Sequence, residues 1–149
     1  MEQPDIQMQL VVSAIVIAMT TFVHGVFVAA AAAVFRASKS NASGVLRFLR
    51  DSAVLVLIGL WLIIAHAIEI AIWAQTYLYF DLFETLEPAL YFAGASYTTL
   101  GFGDVLLPDA WRLLSGATAA NGLLLFGLSA AFLFDVAGRL HLGGGKREE

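Results

Sequence analysis

Residues 84 to 104, ETLEPALYFAGASYTTLGFGD, decide how this chain folds. The part up to Tyr97 reads as a short helix over 84–97. Pro88 falls in its first turn, where a missing N–H costs nothing, and the acidic Glu84 and Glu87 suit a helix N-terminus. A helix of that length is too short to cross roughly 30 Å of hydrocarbon. Its neighbours on either side are long enough. Residues 52–74, SAVLVLIGLWLIIAHAIEIAIWA, are interrupted only by His66 and Glu69, and residues 113–134, LLSGATAANGLLLFGLSAAFLF, carry no charge. A short helix between two spans, followed by Gly101, Phe102 and Gly103, reads as a re-entrant half-helix ending in a glycine-rich loop.

Upstream, residues 8–35, MQLVVSAIVIAMTTFVHGVFVAAAAAVF, contain no Lys, Arg, Asp or Glu and form a further span. The acidic opening Met1, Glu2, Gln3, Pro4, Asp5 and the length of the apolar run argue against a secretory signal, so this span is expected to stay in the mature protein. The composition agrees: 60% of the 149 residues are hydrophobic and 13% charged, against about 45–50% and roughly 25% for soluble domains. Eight Lys and Arg against twelve Asp and Glu leave no basic excess for nucleic acid. The absence of cysteine excludes disulfides, thiolate metal sites and Cys nucleophiles.

Cations of short loops favour the cytoplasmic side. Segment 36–51 carries Arg36, Lys39, Arg47 and Arg50, whereas 76–112 has only Arg112 among Asp81, Glu84, Glu87, Asp104 and Asp109. The first loop is therefore expected inside and the second outside, with the N-terminus outside and the C-terminus, bearing Arg139, Lys146 and Arg147, inside. Trp73, Tyr77, Tyr79 and Phe80 fall where an outer aromatic belt is expected. Ser38 to Ser43 reads as a turn, and Val45 to Arg50 as a stretch able to lie in the inner interface.

The segment Ala89 to Asp104, ALYFAGASYTTLGFGD, resembles the pore helix and selectivity filter of the potassium channel family, whose filter is usually written TVGYG. The filter here is Thr98, Thr99, Leu100, Gly101, Phe102, Gly103 and Asp104. A filter needs a row of main-chain oxygens facing one axis in place of the ion's water shell. Gly101 and Gly103 serve that geometry because glycine reaches positive φ without a Cβ clash. The resemblance implies K+ held at Thr99, Leu100, Gly101 and Phe102, a homotetramer around the pore, and Gly122 in NGLLLFG (121–127) as the gating hinge. It covers about 53–138. The alternative reading of Gly101 and Gly103 as a dinucleotide loop fails, since GFGDVL lacks a third glycine and follows no strand. Two departures from the family stand out. Tyr91 and Phe92 replace a common Trp pair, weakening a hydrogen-bonding cuff, and Ala95 replaces a Glu that in some members partners the Asp after the filter, leaving Asp104 without it.

An ionisable group within a span is costly and points to function. Glu69 and His66, three apart on one face, lie about 24–28 Å outward from Arg50, at filter depth. Glu69 is expected to support the filter from behind through Tyr97 or half-helix backbone; the other readings are that it reaches the outer interface or is protonated in packing. His24 either approaches His66 or faces a neighbouring helix, and no sequence spacing argues for metal binding by the two histidines and Glu69. Asp135 and Arg139, four apart, read as an intrahelical pair or a charged ring at the gate. The first span has no Arg series to sense voltage.

These readings predict an all-α membrane protein of three transmembrane helices with a re-entrant pore helix and selectivity-filter loop, in a tetrameric pore. The divisions are an extra N-terminal helix within 1–35, a basic cytoplasmic linker 36–51, a pore domain 52–138 and a cytoplasmic tail 139–149. Within the pore domain the outer helix spans 52–78, the pore helix 84–97, the filter 98–104 and the inner helix 111–138. The expected function is passive K+ conduction across a cell membrane. The alternatives are a weakly selective monovalent cation channel and a non-conducting subunit with a degenerate pore region. Lipid and K+ are the expected partners besides identical subunits, with no cofactor and no enzymatic activity. A prokaryotic inner membrane is expected from small size and the family resemblance.

Overall fold

The computed structural model describes residues 6–37 and 44–140. The expected turn at 38–43, the tail beyond Leu140 and the terminal charges Glu2, Asp5, Lys146 and Arg147 lie outside the described residues, as does Lys39. Four α-helices follow in order: α1 Ile6–Ala37, α2 Gly44–Tyr79, α3 Leu86–Tyr97 and α4 Leu113–Arg139, with a 3-10 turn Asp109–Trp111 before the last. Three of them, α1, α2 and α4, are long and apolar enough to cross a membrane. α3 is the 12-residue half-helix.

Helix α2 begins at Gly44, so residues 44–51 of the expected linker continue the outer helix as one rod. The local reason is an apolar stretch carrying ion pairs at its inner end: Arg47 Nε and Arg50 Nη1 lie 3.6 and 3.7 Å from the buried carboxylate of Asp51. At its other end α2 stops through Asp81, whose φ of 53° is left-handed. The N–H of Leu82 then donates to Tyr77 O at 2.9 Å and that of Asp81 to Leu78 O at 3.0 Å, closing off carbonyls the helix would leave open.

α3 packs against both α2 and α4, and α1 lies against the same two helices. The main core sits around α3, where Trp73, Tyr77, Ala89, Phe92, Ala93, Tyr97, Leu114 and Leu125 meet. A smaller core of Ile58, Leu62, Val136 and Leu140 closes the other end of the α2–α4 pair. Trp73 and Tyr77 therefore belong to the interior and not to an outer belt. Each satisfies its polar tip there, Trp73 Nε1–H donating to Asn121 Oδ1 at 2.9 Å and Tyr77 Oη bonding Thr118 Oγ1 at 2.6 Å. Tyr79, 80% exposed, stays at the periphery.

α1 is built inside out by the standards of a water-soluble helix. Its buried residues are Gln9, Ser13, Val16, Thr20, His24 and Ala31, while Ile15, Phe22, Val26 and Val34 face outward. Lipid supplies the apolar surroundings for the outer face, so helices associate through small and polar side chains. Thr20 Oγ1 lies 2.8 Å from Asn121 Oδ1 of α4, and Trp61 Nε1–H of α2 donates to Phe27 O at 3.0 Å.

Candidate functional site

At the C-terminal end of α3 the chain leaves the helix without relaxing into an extended strand. The N–H groups of Thr98 and Thr99 donate to Gly94 O and Ser96 O at 3.0 and 2.9 Å, and those of Leu100 and Gly101 converge on Ala95 O at 2.9 and 3.2 Å. This turns the donors of the loop inward toward the half-helix. Thr99, Gly101 and Gly103 have φ of 59°, 52° and 77°, alternating with residues of negative φ. The two glycines carry this at little cost. Thr99 does not, because a β-branched residue in the left-handed region is a genuine outlier. Part of its conformation is a helix-ending turn, but the alternation continues through Gly103. Residues 98–104 are all exposed on the single chain, and among the described residues none donates a hydrogen bond to the carbonyl oxygens of 99–103.

Asp104, without a Glu at position 95 to pair with, has another partner. Tyr91 Oη–H donates to its Oδ2 at 2.7 Å, so this tyrosine ties α3 to the end of the loop 98–104. Between them a cavity of about 150 Å³ is lined by Ala95, Ser96, Phe102 and Asp104 among others, in the place a longer side chain than Ala95 would fill.

Behind the half-helix, all four helices meet at a buried polar cluster. Tyr97 Oη–H donates to Glu69 Oε2. Glu69 is wholly buried; its Oε1 lies 2.9 Å from His24 Nδ1 and its Oε2 lies 3.0 Å from His66 Nδ1. His66 Nδ1 is also 3.0 Å from Tyr97 Oη. On the far side, Ser129 Oγ of α4 lies 3.0 Å from His66 Nε2 and 3.3 Å from His24 Nε2. The rings of His24 and His66 stand 5.1 Å apart, and Phe126 covers His66 at 4.2 Å. Glu69 thus reaches neither the outer interface nor lipid, and the tyrosine that ends the half-helix leans on its carboxylate.

Gly122 has a visible task beside the hinge expected of it. α4 runs unbroken through it, and a Cβ there would stand 1.9 Å from Tyr97 O. Only glycine lets the inner helix pass this close to the last carbonyl of the half-helix. Asp135 and Arg139 form an exposed pair, Nε–H to Oδ2 at 2.8 Å, one turn apart on α4.

Sequence reading missed His24 as a partner of Glu69 and Ser129 as a partner of both histidines, because contacts 45, 63 and 105 residues apart in the chain have no periodic signature. A signal for α1 did exist. Gln9, Ser13, Thr20 and His24 recur at spacings of four and seven within an otherwise apolar run, marking one polar seam.

A family model described as an ion channel matches residues 54–139, more than half of the chain and all of α3 and α4. α1 lies outside the match. No curated protein and no solved structure matches the chain.

Proposed function

This chain belongs to the ion channel family, and we propose that it conducts K+ passively through a filter lined by the main-chain oxygens of residues 99–103, contributed by four copies of the chain. The observation that carries the reading is the combination in one stretch of alternating left-handed backbone at Thr99, Gly101 and Gly103 with N–H groups turned back onto Ala95 and carbonyls left free. Irregular backbone at membrane depth is tolerated only where it is buried in protein or lines a water-filled path. Exposed on one chain, this stretch requires other copies around it. Carbonyl rings then stand in for the hydration shell of a bare ion, and the C-terminal end of α3 favours a cation in the cavity below.

In this reading Thr98 to Asp104 form the filter and K+ is held at Thr99, Leu100, Gly101 and Phe102. Glu69 and Tyr97 hold the base of the filter from behind, and the strand of the filter meets α3 again through Asp104 and Tyr91. The basic inner end of α2 and the acidic α2–α4 connection favour an outside N-terminus and an inside C-terminus. Gly122 bends α4 on opening.

Purified protein in planar bilayers, with K+ on one side and Na+ on the other, tests this. The expected reversal potential is shifted strongly toward the K+ equilibrium value. A reversal near zero would instead indicate a weakly selective cation channel, and silence under every voltage and pH would indicate a non-conducting subunit.

A further inference from the structure

We infer that His24, His66 and Glu69 form a buried binding site for a zinc-class divalent transition-metal ion, at the point where the four helices meet. The donor set is the first reason. Two imidazole nitrogens and a carboxylate suit such an ion, and their ligand atoms all lie within 4.8 Å of one another. Around an ion with ligands at about 2.0–2.1 Å, tetrahedral neighbours stand about 3.3 Å apart. His24 Nδ1 and His66 Nδ1 sit 2.9 and 3.0 Å from Glu69 Oε1 and Oε2, so both imidazoles already face the carboxylate beside which the ion would lie.

Tyr97 Oη supplies the fourth donor, already bonded to Glu69 Oε2 and 3.0 Å from His66 Nδ1.

The second reason is the outer layer of contacts. Metal-bound histidines characteristically donate their other ring N–H to an oxygen that fixes the ring's tautomer and orientation. Both Nε2 atoms here point to one atom, Ser129 Oγ, at 3.0 and 3.3 Å. With a metal on both Nδ1 atoms, both Nε2 atoms carry hydrogen and the serine oxygen's two lone pairs accept them. Without one, a single serine hydroxyl hydrogen has to serve two ring nitrogens whenever both Nδ1 atoms are donors to Glu69. All three ligands are buried, and they come from α1 and α2 with Tyr97 from α3, so a single ion ties the helix outside the family match to the pore region.

The test uses the full chain, purified in detergent without a polyhistidine tag from cells grown with Co2+ in place of Zn2+, and then incubated with excess Co2+. About one cobalt per chain is expected by elemental analysis, with the strong visible absorption of a four-coordinate cobalt site that added Zn2+ abolishes. His24→Ala and His66→Ala should lose both signals. Ser129→Ala, which removes the oxygen facing both histidine Nε2 atoms but no group bound to the ion itself, should keep the stoichiometry and weaken binding about 10-fold. Protein that elutes as one assembled species yet contains no cobalt overturns the proposal, as does undiminished cobalt in His24→Ala. Should either histidine variant fail to assemble, the wild-type content and the Ser129→Ala affinity decide. Because nothing here is read from current, a silent pore and an empty metal site remain separate results.

Discussion

Two polar regions lie side by side at membrane depth, on opposite sides of α3. Among the described residues the main-chain oxygens of the loop 98–104 find no donor and stand exposed on the single chain, while the cluster of His24, His66, Glu69, Tyr97 and Ser129 pairs its side-chain groups with one another in the interior. A buried polar group without a partner costs on the order of 1–3 kcal/mol, so a folded chain ordinarily completes its networks internally. The cluster obeys that rule. The loop is exposed on the single chain and lies outside that rule; in the proposed reading other copies of the chain and a permeant ion complete it. On the proposed reading, what separates the two regions is whether the partners of their polar groups lie inside the subunit.

The comparison breaks most completely at Gly101. A Cβ there meets nothing within 4 Å, so Gly101→Ala adds no clash and acts only through the left-handed backbone at φ 52°. The strain is about 1–2 kcal/mol in each copy, and turning one carbonyl ring off the axis should abolish K+ current in bilayers while the protein still assembles.

On the other side, Glu69→Ala leaves His24, His66 and Tyr97 without their shared acceptor. A loss of about 3–5 kcal/mol is expected, read as a clear fall in Tm in detergent. Glu69→Gln keeps the shape and is the sharper probe of function: a changed open probability or ion discrimination in single-channel records supports a role behind the filter, and unchanged records remove it.

Gly122→Ala comes next. In an exposed helix this substitution would stabilise by about 1 kcal/mol. Here the overlap with Tyr97 O should destabilise by about 1–3 kcal/mol, so the sign of the Tm change reports whether α4 presses on the half-helix. Tyr91→Phe removes only an exposed bond to Asp104 and should leave Tm unchanged, but it should speed the decay of current if that bond steadies the outer end of the filter. Asp135→Asn breaks an exposed pair and should change neither Tm nor current; a changed conductance would place a charged ring at the gate.

The fold was largely legible in the sequence because each deciding feature is local. Uninterrupted apolar runs mark the three spans, Pro88 with the acidic residues starts the half-helix, and two glycines one residue apart follow it. Loop polarity hid the first turns of α2, where Arg47, Arg50 and Asp51 read as a linker although they neutralise one another along a helix. Trp73 and Tyr77 read as interfacial because an aromatic near a span's end is usually so; their burial depends on Asn121 and Thr118, more than 40 residues away. The site divided in the same way. The proposed filter is a contiguous motif and Glu69 lies one turn from His66, but the convergence of His24 and Ser129 on that pair exists only once α1 and α4 have packed. The left-handed φ of Thr99 was hidden too, since nothing about a threonine announces it.

Placing the ions themselves tests the central claim most directly. Crystals of the assembled protein grown with Rb+ or Tl+ in place of K+, measured for anomalous scattering, should show a row of sites on a shared axis, each ringed by carbonyl oxygens of residues 99–103 from several copies. Anomalous density absent from that axis, with the same stretch lying apart from its counterparts, would contradict it.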